Sequence, residues 1–313
     1  MVFVSRQRLI RAATQHNLGY PRCGLPPHSR RTCSIAPSPQ SLFAMPATHS
    51  AETLSIEGPD AIAFAHAQFS SNVSLLASGQ WQFSAWLDPQ GRVRALFHLA
   101  RISDDRLVLL LRGGNAAAIA DALRRFVFRS KVTLNALPSR RLSTGAALPL
   151  HVVQNEDDVL ILGCGDHSLQ IDDYSVEDGD DRWRLFQCRN GWPWLPESAL
   201  NELLPAALSL QRLHAVAIDK GCYPGQEIVA RLHFRGGHKR HLHSVELSQS
   251  TDGDDVLRTG GRDVGRLLDI VASDTGIEAL AVLSDDFVAQ HDGNRLTSFD
   301  NNLAMHVLAS WPA

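Results

Sequence analysis

Between residues 54 and 126 the apolar positions fall into short runs separated by turn signals. Residues 54–56 read as a strand. Gly58-Pro59 then opens a helix with Ile62, Phe64 and Ala65 at apolar spacing, closed by Gln68. Trp81, Phe83 and Ala85 alternate with polar residues up to the turn Asp88-Pro89-Gln90-Gly91, after which Val93, Ala95, Phe97 and Leu99 line one face of a second strand. Asp104-Asp105 turns into a strand over 107–111, and Asn115 caps a helix whose buried face is Ile119, Leu123 and Phe126. With a further strand near Val132, hairpins followed by a helix predict an α+β layer, not a doubly wound sheet.

The pattern thins over 138–182, which holds a strand candidate at 159–162 and an acidic run at 177–181 that reads as solvated loop. Trp183, Leu185 and Gln187 then alternate ahead of a turn at Asn190-Gly191-Trp192-Pro193. Beyond Val245, alternating segments at 256–257, 264–271, 280–283 and 303–308 predict a small β-barrel or sandwich, taken as a C-terminal β-barrel domain over 241–313. Its turns are Gly260-Gly261 and Asp292-Gly293-Asn294.

Composition narrows the class. A chain of 313 residues, 44% hydrophobic, can bury a sizeable core in two or three domains. Five cysteines with no C-x-x-C pair argue against a disulfide framework or zinc ribbon and for a reducing compartment. A net charge of −3 leaves no global attraction for nucleic acid, so anion binding must be local. No apolar run reaches bilayer length, and no glycine-rich nucleotide loop is present. Residues 1–44 carry Arg6, Arg8, Arg11, Arg22, Arg30 and Arg31 without one Asp or Glu. They read as an unstructured extension, a start-site artefact ahead of Met45 in a cytoplasmic protein. The alternative is a transit peptide to the mitochondrial matrix, although Pro21, Pro26, Pro27, Pro37 and Pro39 would break its helix. Cys23 and Cys33 lie there without an assigned role.

The densest chemistry is Lys220-Gly221-Cys222-Tyr223-Pro224-Gly225-Gln226-Glu227. Pro224 and Gly225 open a helix through Ile228, Val229 and Leu232, with Glu227 in its first turn. Cys222 then stands just before a helix N-terminus, where unpaired N–H groups and Lys220 favour a reactive thiolate. The competing reading is a small buried hydrophobe. Downstream, Arg231, Arg235, Lys239 and Arg240 alternate with His233, His238, His241 and His243. This stretch can be a solvated face, a phosphate-tracking patch with little aromatic content, or a landing site for carboxylates. A metal site is set aside, because the spacing fits no standard zinc pattern.

The octapeptide closely resembles the K-G-C-[FY]-x-G-Q-E signature of the YgfZ family of folate-binding proteins. The likeness continues through Ile228-Val229-Ala230-Arg231, Phe234-Arg235-Gly236 and Lys239-Arg240. More weakly it covers Gly58 to Gln68, Asn72-Val73, Leu87-Asp88 with Gly91-Arg92, and Arg129-Ser130-Lys131-Val132. The resemblance implies an aminomethyltransferase-like core of two α+β subdomains over 45–240, its middle subdomain trimmed at about 138–182, followed by the barrel. It also implies tetrahydrofolate as cofactor and support of iron–sulfur enzymes, including tRNA-modifying ones, as the role. Cys222 and Lys220 become the reactive pair. Trp183, at the family's folate-contacting Trp, becomes a pterin contact if it is not simply a core aromatic. Tyr223, Gln226, Glu227, Arg235, Lys239 and Arg240 complete the folate site. The expected partners are folate and iron–sulfur enzymes or their assembly factors, for a monomer without direct tRNA or membrane contact.

The chain departs from the family pattern at three places. No second Trp stands near Ala51, and Ala206 and Ser209 replace a Gln and an Asn. Ala95 occupies the position of the aminomethyltransferase acid, which weakens the alternative of a folate-dependent aminomethyl or methyl transferase. A cysteine hydrolase pairing Cys222 with a histidine has no visible oxyanion motif.

Overall fold

The computed structural model describes residues 50–156, 158–173, 182–251, 255–291, 295–297 and 299–312. The expected 1–44 extension, the acidic run at 177–181 and the turn Asp292-Gly293-Asn294 lie wholly outside them. The described residues belong to one compact unit, Pro46–Ala313.

Three antiparallel sheets make up the fold. The first is built from β2 (Thr53–Glu57), β3 (Gln80–Leu87), β4 (Val93–Ser103), β5 (Arg106–Leu111) and β6 (Thr133–Ala136), in the order β3-β4-β5-β2-β6. Helices α1 (Ala61–Gln68) and α2 (Ala116–Arg124) cover one face over a core of Leu54, Ile56, Phe64, Trp86, Phe97, Leu109 and Leu123. Asn115 caps α2 as its residue type predicts, its side chain accepting from the Ala118 N–H at 3.0 Å. Helix α2 stops at Arg124, so Phe126 does not extend the buried face and is 46% exposed.

The expectation of a single lined face on β4 also needs correcting. Ala95, Phe97 and Leu99 face the helices, while Val93 joins the opposite core, because a register shift at Trp86/Leu87 breaks the alternation. Both faces of these central strands are buried.

The opposite face packs toward the second sheet, formed by β1 (Ser50–Ala51), β7 (Arg140–Gly145), β8 (Val153–Glu156), β9 (Val159–Gly163) and β10 (Ser168–Asp172) in the order β1-β7-β10-β9-β8. The stretch whose pattern predicts a single strand therefore supplies four. After it, residues 182–189 are a helix, α3 (Arg182–Arg189), although Trp183, Leu185 and Gln187 alternate like a strand.

The third sheet takes β11 (Arg240–Leu247), β12 (Val256–Thr259), β13 (Arg262–Ser273), β14 (Gly276–Ser284), β15 (Arg295–Leu296) and β16 (Met305–Trp311) in the order β12-β13-β14-β11-β16-β15. Register shifts at Ser244/Val245, Leu257/Arg258 and Leu267/Asp269 curl it around Val245, Leu267, Ala281, Phe287 and Met305. Among the described residues β12 and β15 do not pair with each other, so the expected barrel is a curled, open half-barrel.

Helix α3 is tied to this sheet by two arginines. Arg184 meets Asp269 at 2.5 Å, and Arg189 grips the buried Glu278 through both carboxylate oxygens. Removing Arg189 leaves a buried carboxylate without its cation. Because the Arg189 side chain is 51% exposed and water screens the pair, Arg189→Ala is expected to cost about 2 kcal/mol in urea unfolding. An unchanged midpoint would show that solvent replaces the arginine.

Candidate functional site

Helix α4 (Gln226–Arg235) organises the site. It begins where the motif predicts, after Gly225, whose φ of +77° is the left-handed conformation that glycine adopts without penalty. A second reason for glycine is contact. A Cβ on Gly225 would stand 2.5 Å from the Asp88 carbonyl oxygen and 2.8 Å from the Gly91 Cα. A Cβ on Gly91, itself at φ +79°, would meet the Ile228 side chain at 3.0 Å. The turn before α4 and the β3–β4 hairpin tip therefore interlock through two glycines, and the hairpin is held square by the Gly91 N–H donating to the Asp88 carbonyl at 2.9 Å. Sequence reading finds both turns but misses their contact. The signal for it is a pair of glycines in turns 134 residues apart, which only tertiary structure joins.

Cys222 is exposed at this junction, whereas Cys164 and Cys188 are buried. Burial pushes the thiols of Cys164 and Cys188 up to about 12, which keeps both protonated and inert. The Cys222 sulfur opens onto a cleft of about 450 Å³ lined by Pro89, Cys222, Tyr223, Pro224, Gly225, Gln226, Glu227 and Ala230. Tyr223 forms its floor. The ring is buried in the core, its hydroxyl donates to the Ala217 carbonyl at 3.0 Å, and burial pushes the phenol up. Gln226 Nε2 donates to the Lys220 carbonyl at 3.2 Å and braces the turn from inside, while Glu227 is exposed on the cleft wall.

Lys220 is placed differently from its expected part as the cation beside the thiol. Its Nζ donates to the carbonyls of His66 and Phe69 at 2.6 Å and of Ser71 at 2.8 Å, and stands 4.9 Å over the Tyr223 ring. All three donors are thus spent on the C-terminal end of α1 and the loop after it, where backbone oxygens gather negative partial charge. Burial pushes this ammonium down to about 8. Lys220 is an anchor that fixes the Cys222 turn to α1.

The remaining expected residues are not brought to this cleft. Trp183 is 1% exposed, its ring 5.0 Å from Trp194, so it is a core aromatic and not a cleft wall. Arg235 ends α4, about 14 Å along the helix axis from Gln226. Arg240 turns to the third sheet, pairing with Asp263 at 3.3 Å. Lys239 is exposed beside it. A separate cavity of about 240 Å³ at that end is lined by His233, His238 and His241 with Gln211. The cations and the thiol therefore sit at opposite ends of α4, and among the described residues no cluster of His, Cys, Asp and Glu is arranged to hold a metal ion.

No family model matches the chain. Over 261 residues it is 27% identical to an uncharacterized protein of Haemophilus influenzae, covering 79% of this chain and 91% of that one. It is 24% identical over 287 residues to the tRNA-modifying protein YgfZ of Colwellia psychrerythraea, covering 79% of this chain and 88% of that protein. With the protein of the same name from Aliivibrio fischeri, identity rises to 34% over 111 residues, 33% of this chain and 35% of the relative. The chain is thus similar to several YgfZ proteins, at 24–34% identity. Among solved structures, the glycine cleavage system aminomethyltransferase T of Bartonella henselae matches with a TM-score of 0.59 at 16% identity, covering 83% of each chain. The chain thus has an aminomethyltransferase-like fold, with its C-terminal sheet left as a half-barrel. No helix among the described residues is long and apolar enough to cross a membrane.

Proposed function

We propose that this chain is a YgfZ-family protein, that it binds a reduced folate, tetrahydrofolate or a derivative, and that it supports iron–sulfur enzymes in the cytoplasm, including tRNA-modifying ones, through Cys222. The observation that carries this reading is an exposed sulfur on an open cleft, at a helix start whose geometry two interlocked turns hold in place. The residues present fit a folate. The cleft volume lies within the usual range for small-ligand sites, and its wall is mostly apolar with two polar groups. Tyr223, Pro89 and Pro224 would hold the flat rings, and Gln226 and Glu227 would meet their polar edges. The bound folate would supply a nitrogen able to carry a one-carbon unit. The chain's own part is to keep the Cys222 sulfur open to a partner and the turn beneath it rigid.

An accessory role is favoured over aminomethyl transfer by Ala95. It stands where the resemblance locates the transferase acid, and it is fully buried among apolar residues of the first core. No carboxylate is supplied there to manage a proton on the folate.

Tetrahydrofolate at a hundred times its Kd is expected to stabilise the native state by about 2.7 kcal/mol, read as a rise in Tm. In cells, Cys222→Ala is expected to lower iron–sulfur enzyme activity, tRNA methylthiolation included, without lowering the protein's own abundance. Absence of any Tm shift would remove the folate from this reading. Full client activity in the Cys222→Ala strain would remove the thiol.

A further inference from the structure

The loop after α2 carries a surface that the folate reading does not use. Residues 124–131 run Arg124, Arg125, Phe126, Val127, Phe128, Arg129, Ser130 and Lys131, with four cations and no acid. Helix α2 ends at Arg124, and the chain turns with the Phe126 N–H donating to the Leu123 carbonyl at 2.9 Å. Val127 packs on the core of the first sheet, and the two rings on either side of it are left in solvent, Phe126 46% and Phe128 86% exposed.

A cation lies against Phe128, and Phe126 packs on a buried indole that carries one. The Arg129 guanidinium is 5.5 Å from the Phe128 centroid, and Phe126 meets Trp86 edge-on at 6.4 Å, with the Arg94 guanidinium 4.0 Å over that indole. Among nearby acids, Asp121 pairs with Arg124, Glu57 pairs with Arg106, and Asp60 accepts from the Lys131 backbone N–H at 2.7 Å. Arg125, Arg129 and the Lys131 side chain are exposed.

We propose that this surface binds single-stranded nucleic acid, with Phe128 and Phe126 as stacking platforms for successive bases and Arg125, Arg129 and Lys131 tracking the phosphates. A merely solvated charged loop gains little from a ring as exposed as Phe128, whereas stacked bases cover it and the free face of Phe126, and the cations answer the backbone charge. The basic stretch at 231–240 offers only Phe234 for stacking. The chain's net charge of −3 gives no global attraction, so binding must rest on a local patch. The proposal stands without the folate reading, since none of its residues lines the Cys222 cleft.

The test is fluorescence anisotropy of the full chain with labelled oligonucleotides, as single-stranded RNA, single-stranded DNA and the matching duplexes, at about 50 and 200 mM salt. Single strands of either sugar are expected to bind more tightly than duplexes, and affinity to fall as salt rises. Phe128→Ala is expected to weaken strand binding about tenfold with the salt slope unchanged. Arg125→Gln with Arg129→Gln is expected to flatten that slope, and Leu308→Ala, at a 48% exposed leucine on the third sheet, to change nothing. These side chains are exposed, so Tm is expected to stay at the parent value. The proposal is overturned if no strand binds at the lower salt, or if Phe128→Ala leaves strand binding intact. Binding to phosphatidylserine vesicles in place of strands would overturn it too.

Discussion

Gly225→Ala is expected to lower stability by about 3 kcal/mol, a larger loss than any surface substitution around the cleft should cause. Two costs add. An alanine at φ +77° carries the left-handed penalty of roughly 1 kcal/mol. Its Cβ would also stand 2.5 Å from the Asp88 carbonyl oxygen, a backbone atom that cannot swing aside as a side-chain tip could. A matched control separates the two. Gly79 has nearly the same φ, +76°, and a methyl group there would find nothing within 4 Å. Gly79→Ala should therefore lose only the conformational part. Urea midpoints of both variants read the difference as the strength of the turn-to-turn contact. If the two variants lose equal stability, the hairpin tip does not support the α4 start. The same displacement should change the rate at which iodoacetamide labels Cys222, because that turn would no longer be clamped between the hairpin and α1.

This interlock marks the boundary of what can be read along the chain. Local signals are legible: the Asn115 cap, the turn at Asp88 to Gly91 and the start of α4 all depend on residues within a few positions of one another. Features set by distant partners are not. Trp183, Leu185 and Gln187 alternate, yet the segment is the helix α3, from which Arg184 and Arg189 reach Asp269 and Glu278, 85 and 89 positions away. Phe126 continues the helical spacing of Ile119 and Leu123, but the helix ends two residues earlier. Whether a curled sheet closes depends on whether its edge strands meet, and no periodicity within a strand records that. Lys220 illustrates the same limit at the site. Its nearness to Cys222 along the chain suggests an electrostatic partner for sulfur, while its three donors are taken by carbonyls about 150 positions upstream. The motif residues therefore divide into an exposed thiol, Cys222, and supports for the turn that carries it, Lys220, Gln226 and Gly225. The cations that resemblance adds to the site belong to the far end of α4.

Acidification is expected to remove about 3 kcal/mol of stability between pH 6.5 and pH 4, and His243 is the main named cause. Its ring is 5% exposed on β11, with Nδ1 2.8 Å from the Ser310 hydroxyl of β16. Burial, with a smaller push from His241, lowers its pKa to about 4, and Asp285 offsets that only in part. The sign follows from proton counting. Between the folded value and the unfolded value near 6.5, the unfolded chain binds the proton and the folded one does not. Stability is therefore complete above pH 6.5 and falls as pH drops toward 4, below which both states are protonated and the contribution is flat. His98 acts in the same direction. It is fully buried beside Arg112, with burial the first cause of its lowering and the guanidinium the second, so protonating it sets two cations together in the core. His243→Gln keeps a side chain able to hydrogen-bond Ser310 and removes the titration. Urea unfolding of the parent and this variant across the window should show the variant losing markedly less on acidification, its residual slope carried by His98. Parallel slopes for the two proteins would mean that His243 takes up its proton in the folded state as easily as in the unfolded one, and that the β11–β16 seam is open to water.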